Sequence, residues 1–326
     1  MTRIAALFTA VCMALCLLAG CGAQPDAAPV PAAPSATDAV SASDEGETPS
    51  AVSPAFLAGQ LEYTVGDPVI TDVSPAEKQI DFYRDGLRLY GKMYLPEGDG
   101  PFPCVVLASG FRAPMSTVTD VAKSFAEGGV AAVIFDFAGA ASPSKSEGKA
   151  TDLAVSTEAA DLCAVLDSVK NMDFIDENSL FLWGHSFGGL AAAYTASARD
   201  DVQGMVLVEP AFPLRDELAA DYPEGTEIPE VTYSPLYAGR AYFEECLALD
   251  IYELIPRFGG DVLIVLGNGP TASGEVKYDY YERANGLYPS SEIVTIDGAG
   301  HAFTEPEQRG QLIDASVEFV SGRVGR

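Results

Sequence analysis

The stretch "LFLWGHSFGGLAAAY", residues 180–194, decides how the chain is read. It opens with a short apolar run of the kind buried on both faces of a sheet. It closes with an alanine-rich run suited to a helix. Between the two stands Ser186, framed by Gly184 and Gly188. A strand, a tight turn and a helix in that order hold a serine at a sharp corner, and small flanking residues relieve the crowding there. The corner is either a glycine turn that happens to carry a serine or one that presents a nucleophile, and the rest of the chain must supply the partners that tell these apart.

Outward from Ser186 the same kind of apolar run recurs at 104–109, 130–137, 202–208, 261–266 and 292–296. Helical patterns lie between these runs, as in "STVTDVAKSFAEGG" with its Ser/Thr start and Gly stop. Another, "LAVSTEAADLCAVLDSVKNM", lines up Leu162, Val165, Leu166 and Val169 on one face. The closing segment "EPEQRGQLIDASVEFVSG" reads as a last helix. Residues 78–98 alternate polar and apolar around Asp85-Gly86, which predicts an antiparallel hairpin. Alternating strands and helices imply a mostly parallel sheet with helices on both faces, in one domain over residues 60–326. One interval breaks the rhythm. Residues 210–258 are too long for a bare connection and rich in Pro, Tyr and Glu, so they predict a cap inserted after the sixth strand counted here. Its Tyr222, Tyr233, Tyr237 and Tyr242 either pack the cap onto the domain or line a pocket.

Residues 1–20 read as an export signal, with Arg3, an apolar core and then small residues. They end in Leu18-Ala19-Gly20-Cys21, which resembles a lipoprotein cleavage box and implies a lipid on Cys21 and anchoring to the outer face of the cell membrane. Residues 21–59 are dominated by Ala, Pro, Ser and acidic residues, and no Lys or Arg occurs between Arg3 and Lys78; this predicts a disordered tether. A net charge of −28 argues against nucleic acid as a partner, since phosphates would be repelled. Cys104, Cys163 and Cys246 are too dispersed for a disulfide framework, and two histidines make a His-rich metal site implausible, so neither metal nor cofactor is expected. The sequence sets no oligomeric state.

Gly184-His185-Ser186-Phe187-Gly188, in its strand-turn-helix setting, resembles the nucleophile elbow of the α/β-hydrolases. The wider resemblance covers about residues 75–322 and is nearest to bacterial feruloyl or cinnamoyl esterases and serine aminopeptidase-like hydrolases. It implies an eight-stranded type of α/β sheet and a catalytic Ser186. It also implies that His301, in "IDGAGHAF" after the last strand, is the base; the only other histidine, His185, takes a supporting place beside the serine. The oxyanion donors would be the amides of Phe187 and Phe111, the latter in Ser109-Gly110-Phe111 where relatives carry His-Gly-Phe. Arg112 follows, and reads either as a solvated cation or as a group that steers an acidic part of a substrate.

The acid of the triad departs from the family pattern. Relatives place an Asp after the penultimate strand, but here the text is "LGNGPTASGEVKYDYYERA", with Pro270 or Ser273 near that position. Glu209, ending the strand after the elbow, is the first replacement, and Glu275, Asp279 or no acid at all are the alternatives. Ser109, Ala138 and Ala140 also differ from the family's usual residues. The resemblance therefore implies a serine hydrolase acting on a small-molecule ester. A degenerate domain used for binding, or a serine peptidase, stands as the alternative.

Overall fold

The computed structural model describes residues 52–140, 144–233, 237–270 and 276–325. The export signal, Cys21, most of the tether and Glu275 fall outside the described residues. A short helix α1 (Pro54–Leu57) precedes strands β1 (Val65–Ser74), β2 (Glu77–Arg84), β3 (Leu87–Tyr94) and β4 (Phe102–Ala108). Helix α2 (Thr119–Glu127), strand β5 (Ala131–Phe135), helix α3 (Val155–Val169) and strand β6 (Ile175–His185) follow. Helix α4 (Phe187–Ser197) leads to strand β7 (Val202–Val208), after which come helix α5 (Leu214–Asp221), a ribbon of β8 (Val231–Thr232) with β9 (Ala238–Gly239), and helix α6 (Arg240–Ala248). Strand β10 (Asp261–Gly267), helix α7 (Tyr278–Leu287), strand β11 (Ser291–Ile296) and helix α8 (Pro306–Ser321) complete the order.

The main sheet has nine strands in the order β1-β2-β3-β5-β4-β6-β7-β10-β11. From β5 through β11 the neighbours are parallel, and β1, β2 and β3 extend the sheet antiparallel. The predicted hairpin is the β2–β3 pair, turning at Asp85-Gly86. The sequence does not announce β1, so the cap expected after the sixth strand follows the seventh. Strands β4 to β7 and β10 each carry an unbroken buried apolar run because helices cover both faces, and a core cluster lies on each side of the sheet. Leu162, Val165, Leu166 and Val169 of α3 are buried together, and Trp183 of β6 donates its indole N–H to Ser316 Oγ of α8 at 3.1 Å. Cys104, Cys163 and Cys246 are buried free thiols. Among the described residues no helix is long and apolar enough to cross a membrane.

Folded structure begins before residue 59, where the tether was expected to end. Phe56 is 4% exposed, stacked on Tyr194 of α4 with ring centroids 5.0 Å apart, and the Tyr194 hydroxyl donates to the Phe56 carbonyl at 2.7 Å. Burying one aromatic outweighs the cost of ordering the few residues that carry it, which composition alone does not reveal. Phe56→Ala is expected to cost about 3 kcal/mol in denaturant unfolding. A change below about 1 kcal/mol would mean that α1 holds to the domain by its backbone alone.

Helix α3 also buries a carboxyl. Glu158 is 1% exposed, and neither of its oxygens has a hydrogen-bond partner among the described residues. Burial, with Asp161 nearby, pushes its pKa well above the ordinary value, so the fold holds the neutral acid. As pH rises through the ordinary glutamate range the unfolded chain ionises and the folded chain does not, so stability present at low pH is lost on the way up. Glu158→Gln, uncharged throughout, is expected to melt with the wild type near about pH 4 and progressively above it toward about pH 8. Parallel melting curves would show that Glu158 ionises freely in the fold.

Candidate active site

Ser186 sits at the end of β6 and the start of α4 with φ 57° and ψ −122°, a backbone region that glycine enters freely and other residues seldom do. The turn is closed by neighbours. A Cβ on Gly188 would lie 2.2 Å from the Ser109 carbonyl, and one on Gly184 would lie 2.5 Å from the Gly188 carbonyl, so no larger residue fits either place. The Ser186 N–H donates to Val208 O at 2.9 Å, and its carbonyl accepts from Ala211 N at 2.9 Å, which fastens the corner to the end of β7.

His301 lies in the loop after β11. Its Nδ1 meets Glu209 Oε2 at 2.5 Å, and the other carboxylate oxygen, Oε1, accepts the Gly267 N–H at 2.8 Å. Glu209 is 4% exposed and its own N–H donates to Val265 O, so its position is fixed from both ends. This follows from the sheet. β7 and β10 are parallel neighbours with Val208 opposite Val265, so a carboxylate at the end of β7 reaches the space above β10. With Nδ1 donating to the carboxylate, Nε2 carries the lone pair. Nε2 is buried without a hydrogen-bond partner among the described residues. Asp279 is instead exposed in the first turn of α7, with no hydrogen bond to His301.

His185 has a larger part than its position beside the serine suggests. Its Nε2 donates to the His301 carbonyl at 2.8 Å, and the two rings lie 4.9 Å apart, which ties the histidine loop to the elbow. A carbonyl only accepts, so the proton is on Nε2. Desolvation, with His301 adjacent, lowers the His185 pKa to about 3 and keeps the ring neutral.

The second loop, after β4, passes close to the serine: a Cβ on Gly110 would lie 3.4 Å from the Ser186 Cβ. Phe111 and Phe187 meet edge to face at 5.5 Å, so the two residues expected to donate to an oxyanion are adjacent. Phe187 is the first residue of α4, where no intrahelical carbonyl is available to its N–H. Ser109 fastens this loop: its hydroxyl donates to Ala113 O at 2.9 Å, and Gly110 O accepts Ala113 N–H, closing the turn. Asp136 Oδ1 accepts the Met115 N–H at 2.7 Å and holds the loop's far end, a role the sequence did not signal. Tyr242 of α6 is buried against Phe111 at 4.8 Å and Phe187 at 5.2 Å, and so joins the cap to this corner. The other cap tyrosines do other work: Tyr222 packs on Phe243, whereas Tyr233 is 77% exposed beside Tyr237. Of the five non-glycine residues with positive φ among the described residues, Asp85 serves the hairpin, and Arg112, Ser186, Glu209 and Phe303 all flank this corner. Strain of this kind persists where the surroundings over-determine a geometry, as at functional sites. Among the described residues no group of His, Cys, Asp and Glu is arranged to hold a metal ion.

The chain is similar to known proteins in part of its sequence and in its fold. Residues 100–232 match the family model described as serine aminopeptidase, S33. Est1E of Butyrivibrio proteoclasticus, solved with ferulic acid bound, superposes with a TM-score of 0.66 at 22% identity, over 74% of this chain and 98% of that one. Acetyl xylan esterase 1 of Thermoanaerobacterium superposes with a TM-score of 0.55 at 16% identity, over 81% of this chain and 91% of that one. In sequence, the thiohydrolase apmlB of Arthrinium phaeospermum is 30% identical over 129 residues, 39% of this chain and 40% of that protein. An uncharacterized 31.7 kDa Escherichia coli protein from the traX-finO intergenic region is 28% identical over 119 residues, 36% of this chain. The chain thus spans 40% of the length of the curated relatives it matches. It is an α/β-hydrolase by fold, and its matched segment carries the elbow and Glu209 but ends before His301.

Proposed function

We propose that the chain is a serine hydrolase that cleaves carboxylic esters through an acyl-enzyme. The observation that carries this reading is the Glu209–His301 pair, with Nε2 left without a partner and the histidine loop tied through His185 to the elbow that strains Ser186. Ser186 Oγ attacks the ester carbonyl and passes its proton to His301 Nε2, while Glu209 holds the imidazole in the right tautomer. The amides of Phe111 and Phe187 stabilise the oxyanion. The proton then goes to the departing alcohol, and water, activated by the same histidine, releases the acid.

The esterases among the structural neighbours favour an ester, whereas the serine aminopeptidase match favours a peptide bond. Short-chain p-nitrophenyl esters and aminoacyl p-nitroanilides, offered to the purified domain, separate the two. Ester turnover well above anilide turnover is expected. Anilide turnover alone would make the protein a peptidase, and turnover of neither would leave a binding domain of hydrolase shape.

The same proposal puts the enzyme outside the cell, held by a lipid on Cys21 through the tether. It is supported by the cleavage-box text and by where α1 docks. Tyr194, on which Phe56 stacks, lies seven residues along α4 from Phe187, roughly 10 Å of helix, so the tether would leave the domain away from the Ser186 corner. Cys21→Ser is expected to release the protein from the cell into the medium, and retention in the membrane fraction would refute the lipid anchor.

A further inference from the structure

Arg112 stands at the joint between the loop after β4 and the cap, one residue beyond Phe111. Its backbone is held at φ 53°, which costs a non-glycine residue energy and therefore marks an imposed position. The side chain crosses to the cap, where Nη1–H points at the Tyr237 carbonyl at 3.5 Å and the guanidinium lies 5.3 Å from the Tyr237 ring centroid. Nε is buried with no partner, and among the described residues no carboxylate pairs with this arginine. Arg257 and Arg283 also lack a carboxylate there, but of the three only Arg112 keeps a buried nitrogen without a hydrogen bond, in a chain with 47 Asp and Glu for 19 Lys and Arg. Arg84 holds Asp161 at 2.6 Å, Arg199 holds Asp167 at 2.8 Å and Arg309 holds Asp120 at 2.6 Å. A buried guanidinium nitrogen left without a partner, one residue from Phe111, is a binding capacity kept open. It is also a local positive site within a field that otherwise repels anions.

We propose that Arg112 is a specificity residue that binds a free carboxylate on the substrate, so that the preferred substrates are half-esters of dicarboxylic acids. This rests on the serine hydrolase reading of the same site and deepens it. The planar guanidinium takes a carboxylate through two parallel N–H donors. Its attachment next to the Phe111 amide puts that carboxylate within a few bonds of the carbonyl whose oxygen the amide receives. Tyr237 supplies a carbonyl and a ring face that orient the guanidinium without neutralising it, so the charge stays available for the ligand.

The test compares monomethyl glutarate with methyl valerate, which share a five-carbon acyl chain and differ in the terminal carboxylate, following methanol release by the wild type, Arg112→Asn and Arg112→Lys. Asn is chosen because it tolerates a positive φ. The expected result is that the kcat/KM ratio of glutarate to valerate ester falls at least about tenfold in Arg112→Asn, equivalent to about 1.4 kcal/mol. The fall should be carried by KM for the glutarate ester and partly restored in Arg112→Lys. An unchanged ratio, whether both esters fall together or neither does, overturns the inference. If the wild type hydrolyses neither ester, the hydrolase reading fails on its own account, and the role of Arg112 is then decided by calorimetric binding of glutarate. Binding lost in Arg112→Asn supports it. Equal binding by the variant, or none by the wild type, overturns it.

Discussion

Replacing Ser186 by alanine is expected to lower kcat by roughly 10⁴- to 10⁶-fold and to abolish labelling by a fluorophosphonate probe. The size follows from the site. Ser109, the nearest alternative hydroxyl in the oxyanion loop, is fully buried and committed to Ala113 O, so no second nucleophile stands ready. The variant should fold, because alanine keeps the Cβ and the corner is held by main-chain bonds to Val208 and Ala211 rather than by the hydroxyl. It keeps the strain as well. Ser186→Gly relieves the positive φ and is expected to unfold about 1 kcal/mol later than Ser186→Ala while being equally inactive. Labelling that survives in the alanine variant would place the nucleophile elsewhere. A wild type that takes no label would remove the serine hydrolase reading altogether.

What the sequence revealed, and what it hid, divides along physical lines. The elbow was legible because its glycines answer a local demand: carbonyls 2.2 and 2.5 Å from where a Cβ would sit forbid anything larger, and the spacing records that. The buried strands were legible because burial on both faces leaves an unbroken apolar run. β1 was not. It is an edge strand exposed along nearly its whole length, with Pro68 inside it and valines only at every fourth residue, so neither strict alternation nor burial marked "VGDPVITDVS". Phe56 was hidden by the composition around it, since one anchoring ring does not alter the average of a polar segment. The unpartnered nitrogen of Arg112 is a property of its surroundings, and no reading along the chain could show that its Nε is buried without a hydrogen bond.

The carboxylate of the site was ambiguous for the same reason, and it carries the second large effect. Glu209, Glu275 and Asp279 were each plausible by sequence position, and what separates Glu209 from Asp279 is that β7 and β10 are neighbours with Val208 facing Val265. Glu209→Gln is expected to lower kcat by roughly 10³- to 10⁴-fold, by analogy with the loss when a triad aspartate becomes an amide. The change is nearly isosteric, and the amide oxygen still accepts from Gly267 N–H, so the fold should hold. The amide nitrogen, however, now faces His301 Nδ1 and can only donate. The imidazole answers by moving its proton to Nε2, and the lone pair that would accept the serine proton is gone. Asp279→Asn, at an exposed position with no bond to His301, should change turnover by less than about threefold, because a distant surface charge has little hold on the site. A loss below about tenfold in Glu209→Gln, roughly 1.4 kcal/mol of barrier, would mean that the carboxylate only positions the histidine loop. Such a result would leave His301 oriented by the bond from His185 to its carbonyl, so His185→Gln in the Glu209→Gln background should then cause the large loss.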